Sequence, residues 1–260
     1  MRKATIFILL FSLLISGIFF SKTGKEILDE MEEKNQEFST SKQVYELTLI
    51  DSSGKVENVK EMETYILVNE ENGSEKESYT MIRIVKPRNL DGTTVMTLSE
   101  NEQYVYIPSY RKVKKITGSS KNDKFLDTDL KYSDITLLSG EIKQDNEAKL
   151  IEENEKNYVV KVSILDDDTD YSYLIMTIEK GTFHLQLTEF FDKDSQLVKA
   201  MKATEYKKID GYTIFSKLEL SDIQTGHKTH MDLLSAEFDI PITKKFYSTL
   251  NMTSNVLRYR

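Results

Sequence analysis

Apolar and polar residues alternate with a period of two through most of this chain, the pattern of strands with one buried face. Tyr45, Leu47 and Leu49 alternate with Glu46 and Thr48. Tyr158, Val160, Val162 and Ile164 share a face opposite Lys161 and Ser163, and Phe183, Leu185 and Leu187 oppose His184, Gln186 and Thr188. Turn-forming clusters separate these runs at Asp51 to Lys55, Asn72-Gly73, Asp166 to Asp170, Lys180-Gly181, Lys193 to Gln196, Asp210-Gly211 and Thr225-Gly226. The pattern predicts a mainly β (α+β) fold: about ten strands joined by short turns into one antiparallel sheet, strongly curved or closed.

Three segments break the alternation. Thr23 and Glu26 form a capping-box pattern, and Ile27, Leu28, Met31 and Phe38 fall roughly on one helical face opposite Asp29, Glu30, Glu32 and Glu33. Asn122 to Ser139 reads as a loop with a helical turn, and a short final helix is expected from Thr243, with Phe246 and Leu250 inward. Three short covers over ten or so strands predict a concave face left partly unfilled, and so a cavity.

The N-terminus sets the compartment. Arg2 and Lys3 precede an almost unbroken apolar run from Ala4 to Phe20, the build of a secretory signal peptide over 1–21. An uncleaved anchor is the rival reading, since about 17 apolar residues is the lower limit for a span; the run lacks a following aromatic or basic belt. A single domain is expected over 22–260, because only three prolines and ten glycines occur and no linker tract divides the chain. Cysteine is absent, so an exported chain stands on its core without disulfides and cannot be acylated as a lipoprotein. The formal charge is −8, and losing Arg2 and Lys3 makes it more negative still, which argues against nucleic acid as a partner.

Catalytic and metal chemistry find no seat in the pattern. His184, His227 and His230 are the histidines, and the spacing of the last two places them on opposite faces of a strand. Asp166, Asp167, Asp168 and Asp170 lack the glycine and distal glutamate of a calcium loop and read as a solvated hairpin. The expectation is a non-enzyme with no metal and no cofactor.

The segment from Lys86 to Ile135 is the most idiosyncratic. Asp91-Gly92 turns into TTVMTL, Tyr104, Tyr106 and Pro108 end the next strand, and Arg111, Lys112, Lys114 and Lys115 surround Val113 and Ile116. One reading is an edge strand that lysines protect from pairing with other sheets. The other is a cationic rim that meets anionic head groups or an acidic partner.

The run GTTVM…QYVYIPSYRKVKKI…SSK…F…D…YSDI resembles the signature of the exported outer-membrane lipoprotein-sorting protein family, related in fold to the LolA-like periplasmic lipoprotein carrier. KEILDEMEEKN resembles the opening helix of that family, FFDKDSQLVKAMKATEYKKIDGYTIFSKLEL its penultimate hairpins and FDIPITKKFYSTL its closing segment. Gly92, Thr93, Tyr106, Pro108, Arg111, Lys115, Ile116, Phe125, Asp129, Tyr132 and Asp134 match motif positions; Tyr104 stands where tryptophan is usual, and Asp127-Thr128 where Gly-Ser is usual.

The resemblance implies an open antiparallel half-barrel whose helices cover its concave side over an apolar groove for acyl chains. Candidates for such a groove are Met96, Tyr104, Tyr106, Ile107, Val113, Ile116, Phe125 and Tyr132, and candidates for a docking rim are Arg111, Lys112, Lys114 and Lys115. The expected function is a periplasmic, monomeric carrier of lipid or lipidated protein, in transient contact with a membrane and served by an inner-membrane transporter. Two alternatives stay open. One is a non-carrying envelope module docking on a transporter through the cationic loop; the other is a hydrolase using Asp129, Asp134 or His184.

Overall fold

The computed structural model describes residues 22–35, 38–69, 77–99, 101–138, 147–254 and 257. The signal peptide expected over 1–21 and the turn expected at Asn72-Gly73 lie outside the described residues. No helix among the described residues is long and apolar enough to cross a membrane.

A helix, α1 (Gly24–Asn35), opens the described chain, and its capping box forms as the sequence predicts. The Thr23 amide donates to Glu26 Oε2 at 2.7 Å, and the Glu26 amide donates back to Thr23 Oγ1 at 3.2 Å. Ile27 is fully buried, with Leu28 and Met31 packed on the same core. Phe38 lies past the helix end and is buried against Tyr212 and Phe238.

The strands that follow are β1 (Thr40–Ile50), β2 (Val56–Asn69), β3 (Glu77–Lys86), β4 (Thr94–Ser99), β5 (Glu102–Ile107) and β6 (Lys112–Ile116). After a crossover come β7 (Ala148–Glu153), β8 (Asn157–Ser163), β9 (Tyr171–Glu179), β10 (Leu185–Asp192), β11 (Leu197–Ile209), β12 (Tyr212–Asp222) and β13 (Lys228–Phe238). All thirteen join one sheet in the order β6-β5-β4-β3-β2-β1-β13-β12-β11-β10-β9-β8-β7. Two antiparallel meanders thus meet where β13 pairs with β1, and β6 and β7 remain as open edges. The sheet is open, with three more strands than the ten expected.

The sheet is tightly curled. β3 and β10 stand six strand steps apart, about 29 Å in a flat sheet, yet both wall a single cavity. Tight turns make the hairpins possible. At the β1–β2 turn, Asp51 Oδ1 accepts from the amides of Ser53 at 2.8 Å and Lys55 at 3.0 Å, and Gly54 takes a φ of +87°.

The crossover between β6 and β7 is neither strand nor idle loop. It holds a 3-10 turn (Gly118–Asn122) and a short helix, α2 (Tyr132–Leu138), and it buries Phe125, Leu130 and Ile135 in the concave core. Two buried carboxylates pin it down. Asp129 Oδ2 lies 2.6 Å from His227 Nδ1 and accepts from Thr229 Oγ1 at 2.8 Å, while the Asp129 amide donates to that same hydroxyl oxygen at 3.0 Å. Asp134 pairs with the buried Lys199, accepts from Tyr171 Oη at 3.0 Å and accepts from the Lys131 amide at 2.6 Å. These motif aspartates therefore hold the crossover to the sheet.

The C-terminal strap covers the opposite face of β2 to β6. Ile242, Phe246, Tyr247 and Met252 form a second core there with Tyr65, Leu67, Met81 and Met96. The helix expected from Thr243 is a 3-10 turn at Lys244–Phe246 followed by α3 (Thr249–Thr253), capped by Ser248. Phe246 points inward as expected. Leu250 does not: starting the helix at Ser248 shifts its phase, so Asn251 and Met252 are buried and Leu250 is 60 % exposed.

Removing one partner of a buried pair strands the other charge at a cost of about 3–5 kcal/mol. Asp134→Ala, with side chains 2 % and 7 % exposed at Asp134 and Lys199, is expected to lose stability of that order in denaturant unfolding. A loss below about 1 kcal/mol, the range of exposed pairs, would show that the crossover is held by other means.

Candidate apolar cavity beneath the N-terminal helix

Alternation along each strand fixes what faces the hollow. On β2 the even positions Met62, Thr64, Ile66 and Val68 line it while Tyr65 and Leu67 turn to the second core; on β3 Ser78, Thr80 and Ile82 line it while Tyr79 and Met81 turn away. The far wall is built from Leu174 and Met176 of β9, Thr188 and Phe190 of β10 and Met201 and Ala203 of β11. Leu130 and Ile135 of the crossover close the inner end.

The sequence pattern misplaces one wall. It sets Phe183, Leu185 and Leu187 on one face and Thr188 on the other, but the register of β10 shifts between Leu185 and Leu187. Beyond that bulge the parity inverts, so Thr188 and Phe190 face the cavity and Leu187 does not line it. Phe183 stands outside the strand with a φ of +58° and packs at a tilt against Tyr158.

The hollow measures about 370 Å³, inside the ~300–1,000 Å³ of ordinary small-molecule sites. Its wall is dominated by hydrocarbon and thioether: Met31, Met62, Met176, Met201 and Met231 all contribute, and methionine adapts to occupants of varied shape. Polar atoms also stand in the wall: among the described residues the buried hydroxyls of Thr64, Ser78 and Thr188 make no hydrogen bond, while others are engaged. Tyr45 Oη donates to Gln43 Oε1 at 2.7 Å, and Gln43 Nε2 donates to Ser41 Oγ at 3.1 Å. Tyr206 Oη donates to the Leu185 carbonyl at 2.6 Å, and burial holds both phenols above their ordinary pKa. Asp134 reaches the inner wall with its charge already met by Lys199.

Helix α1 is the lid. Leu28 and Met31 face inward, and Lys25, Asp29, Glu32 and Asn35 form a polar rim. It packs on β7 and β8, where a Cβ at position 24 would sit 2.6 Å from the Ala148 carbonyl carbon, so only glycine fits. Its C-terminal end is tied by Asn35 Nδ2, which donates to the Met31 carbonyl at 2.7 Å and to the Phe183 carbonyl at 3.0 Å. His184 stacks on Tyr206 at 4.1 Å, and desolvation holds its pKa below the usual imidazole value.

None of the eight groove candidates lines this cavity. Met96, Tyr104, Tyr106 and Val113 lie on the opposite face of the sheet with the C-terminal strap. Ile107, Ile116, Phe125 and Tyr132 do reach the concave side, but in the packed core under the crossover. Strand parity is the reason: β4 to β6 present alternate residues to two different cores. Gly92 of the motif takes a φ of +83° where a Cβ would come within 3.3 Å of Pro108, so it serves the turn. The rim candidates Arg111, Lys112, Lys114 and Lys115 are all exposed along the open edge at β6. His227 faces Asp129, while His230 Nε2 lies 3.1 Å from Glu219 Oε2.

A family model described as "Uncharacterized protein" matches residues 76–254. No curated protein matches the chain. Among solved structures, a DUF1329 family protein from Desulfovibrio piger superposes with a TM-score of 0.79 at 21% identity, over 88% of this chain and 97% of its own. A domain proposed to sort outer membrane lipoproteins in Vibrio parahaemolyticus gives 0.79 at 19%, over 89% and 98%. A LolA superfamily protein from Nitrosomonas europaea gives 0.70 at 14%, over 88% and 99%. At these identities the likeness fixes a LolA-like fold and stops there.

The lid tether can be tested directly. Asn35→Ala removes two hydrogen bonds worth about 1 kcal/mol each, and is expected to raise amide hydrogen exchange across Ile27 to Met31 roughly fivefold to thirtyfold while the strands keep their protection. Unchanged exchange in α1 would mean that Asn35 does not hold the lid.

Proposed function

We propose that this chain, which belongs to the family whose model matches residues 76–254, carries lipid, or the acyl chains of lipidated proteins, in the cavity beneath α1. The observation that supports this reading best is the hollow itself: about 370 Å³, walled by methionine, leucine, isoleucine and phenylalanine, under a helix with an apolar inner face. The LolA-like fold shared with a lipoprotein-sorting domain fits the same reading.

The physical need is specific. Each methylene contributes about 0.8 kcal/mol to burial, so a sixteen-carbon chain resists entering water by roughly 12 kcal/mol. A chain crossing an aqueous compartment needs a protein wall in place of the bilayer interior. Carrying requires no bond chemistry, only a wall that adapts on loading and yields on release. The methionines suit loading of chains of differing shape, and a short helix tied at its two ends suits opening.

In this reading the apolar segment Ala4 to Phe20 exports the protein to the periplasm, where an inner-membrane transporter loads it. The cargo leaves with its acyl chains sheltered and its polar part outside, near the rim residues Lys25, Asp29 and Glu32.

A dansyl-labelled fatty acid titrated into the protein is expected to bind saturably, with a blue-shifted emission. Ala203 is a partly buried wall residue. Ala203→Trp is expected to occlude the space of at least two methylenes, weakening binding by about 1.6 kcal/mol, roughly fifteenfold, with an unchanged far-ultraviolet dichroism spectrum. An absence of saturable binding by the wild-type chain would refute the carrier reading.

A further inference from the structure

Among the described residues, Arg111, Lys112, Lys114 and Lys115 are exposed and none has an ion-pair partner. That is unusual in a chain whose formal charge is −8 and whose other lysines are widely paired, such as Lys121 with Asp166 and Lys131 with Asp170. Tyr110 stands beside them at the β5–β6 turn, 67 % exposed. Arg111 adopts a left-handed φ of +52° at the same turn.

We propose that this edge, Tyr110 with the four cations, docks the protein on an anionic phospholipid surface. Three features select a bilayer over a protein pocket. First, the charges fan around the strand. The register pairs Lys112 with Ile107 and Lys114 with Val105, on the concave side, while Lys115 pairs with Tyr104 on the other. A binding pocket on a protein would meet one side; a plane of head groups meets the edge end-on. Second, lysines on both sides of an open edge strand discourage pairing with another sheet, which removes the commonest way a protein partner would use such an edge. Third, an exposed tyrosine with a polar tip and an apolar ring suits the head-group level of a membrane.

The docking edge and the lid are served by different strands: α1 packs on β7 and β8, at the other end of the strand order. This proposal goes beyond the carrier reading and fails separately from it, since it concerns surface partition and not uptake of a chain.

The test uses the full chain and compares its partition onto vesicles of phosphatidylcholine alone with vesicles containing phosphatidylglycerol. The ratio of the two cancels any contribution of residues 4–20 that is indifferent to lipid charge. Each cation near an anionic surface contributes about fivefold, so Lys114→Gln with Lys115→Gln is expected to lower the ratio about twenty-five-fold. Raising the salt to about 0.5 M should abolish the preference. Lys245→Gln, at an exposed cation on the C-terminal strap, should leave it unchanged. The chain contains no tryptophan, so Tyr110→Trp supplies a reporter at one site, its indole emission expected to shift to the blue on anionic vesicles only. A ratio near one for the wild-type chain, a ratio untouched by the double substitution, or an unshifted indole emission from the Tyr110→Trp variant would each overturn the proposal. Binding only to membranes that retain their proteins would overturn it too, in favour of a protein partner.

Discussion

A sheet of thirteen strands curled on itself has more apolar inner surface than this chain has material to cover. That shortage governs the rest of the structure. Each strand must turn one face inward because its alternation demands it, and the inward faces of β1 to β3 and β9 to β13 are mostly apolar or small, with Gln43 and the paired Lys199 as exceptions. The covers are one twelve-residue helix and one crossover segment. Had the covers been free to slide, the sheet would close on them and fill the hollow, because unfilled apolar space costs stability. They are not free. The crossover is anchored by Asp129 and Asp134, and α1 by the close approach at Gly24 and the hydrogen bonds of Asn35.

The same constraint separates two kinds of residue that sequence motifs mix together. Most of the idiosyncratic positions between Gly92 and Asp134 serve the scaffold: a left-handed turn, a packed second core, two buried carboxylates that fix the crossover. The cavity wall, by contrast, comes from strands whose sequences look generic. Scaffold positions need particular residues because a buried carboxylate without its partners is costly. Wall positions need only be apolar and of fitting size, so they leave little signature.

Much of the fold was legible because it rests on local rules. The period of two marks the strands, Thr23 and Glu26 mark the helix start, and turns such as Asp51 to Lys55 carry their own hydrogen-bonding logic. The cavity wall was not legible, because it depends on register. The bulge after Leu185 reverses which residues of β10 face inward, and no local signal announces it. The aromatic candidates Tyr104 and Tyr106 lie on a sheet face that the C-terminal strap covers, a contact between residues far apart in the chain. Residue type does not tell the faces apart either: Met62, Met176, Met201 and Met231 line the hollow, while the strand methionines Met81 and Met96 belong to the second core. Leu250 shows the same limit in a helix: a shift of start by a few residues turned an inward position outward.

Whether the hollow carries an acyl chain in the cell decides what this protein does. Native mass spectrometry of the protein recovered from the envelope of the cells that make it, without detergent, measures this most directly. A bound species of lipid mass is expected, released when the protein is denatured and excluded by a bulky residue in the wall. A protein that flies at its bare chain mass, and stays so after incubation with total membrane lipid, would contradict the carrier reading.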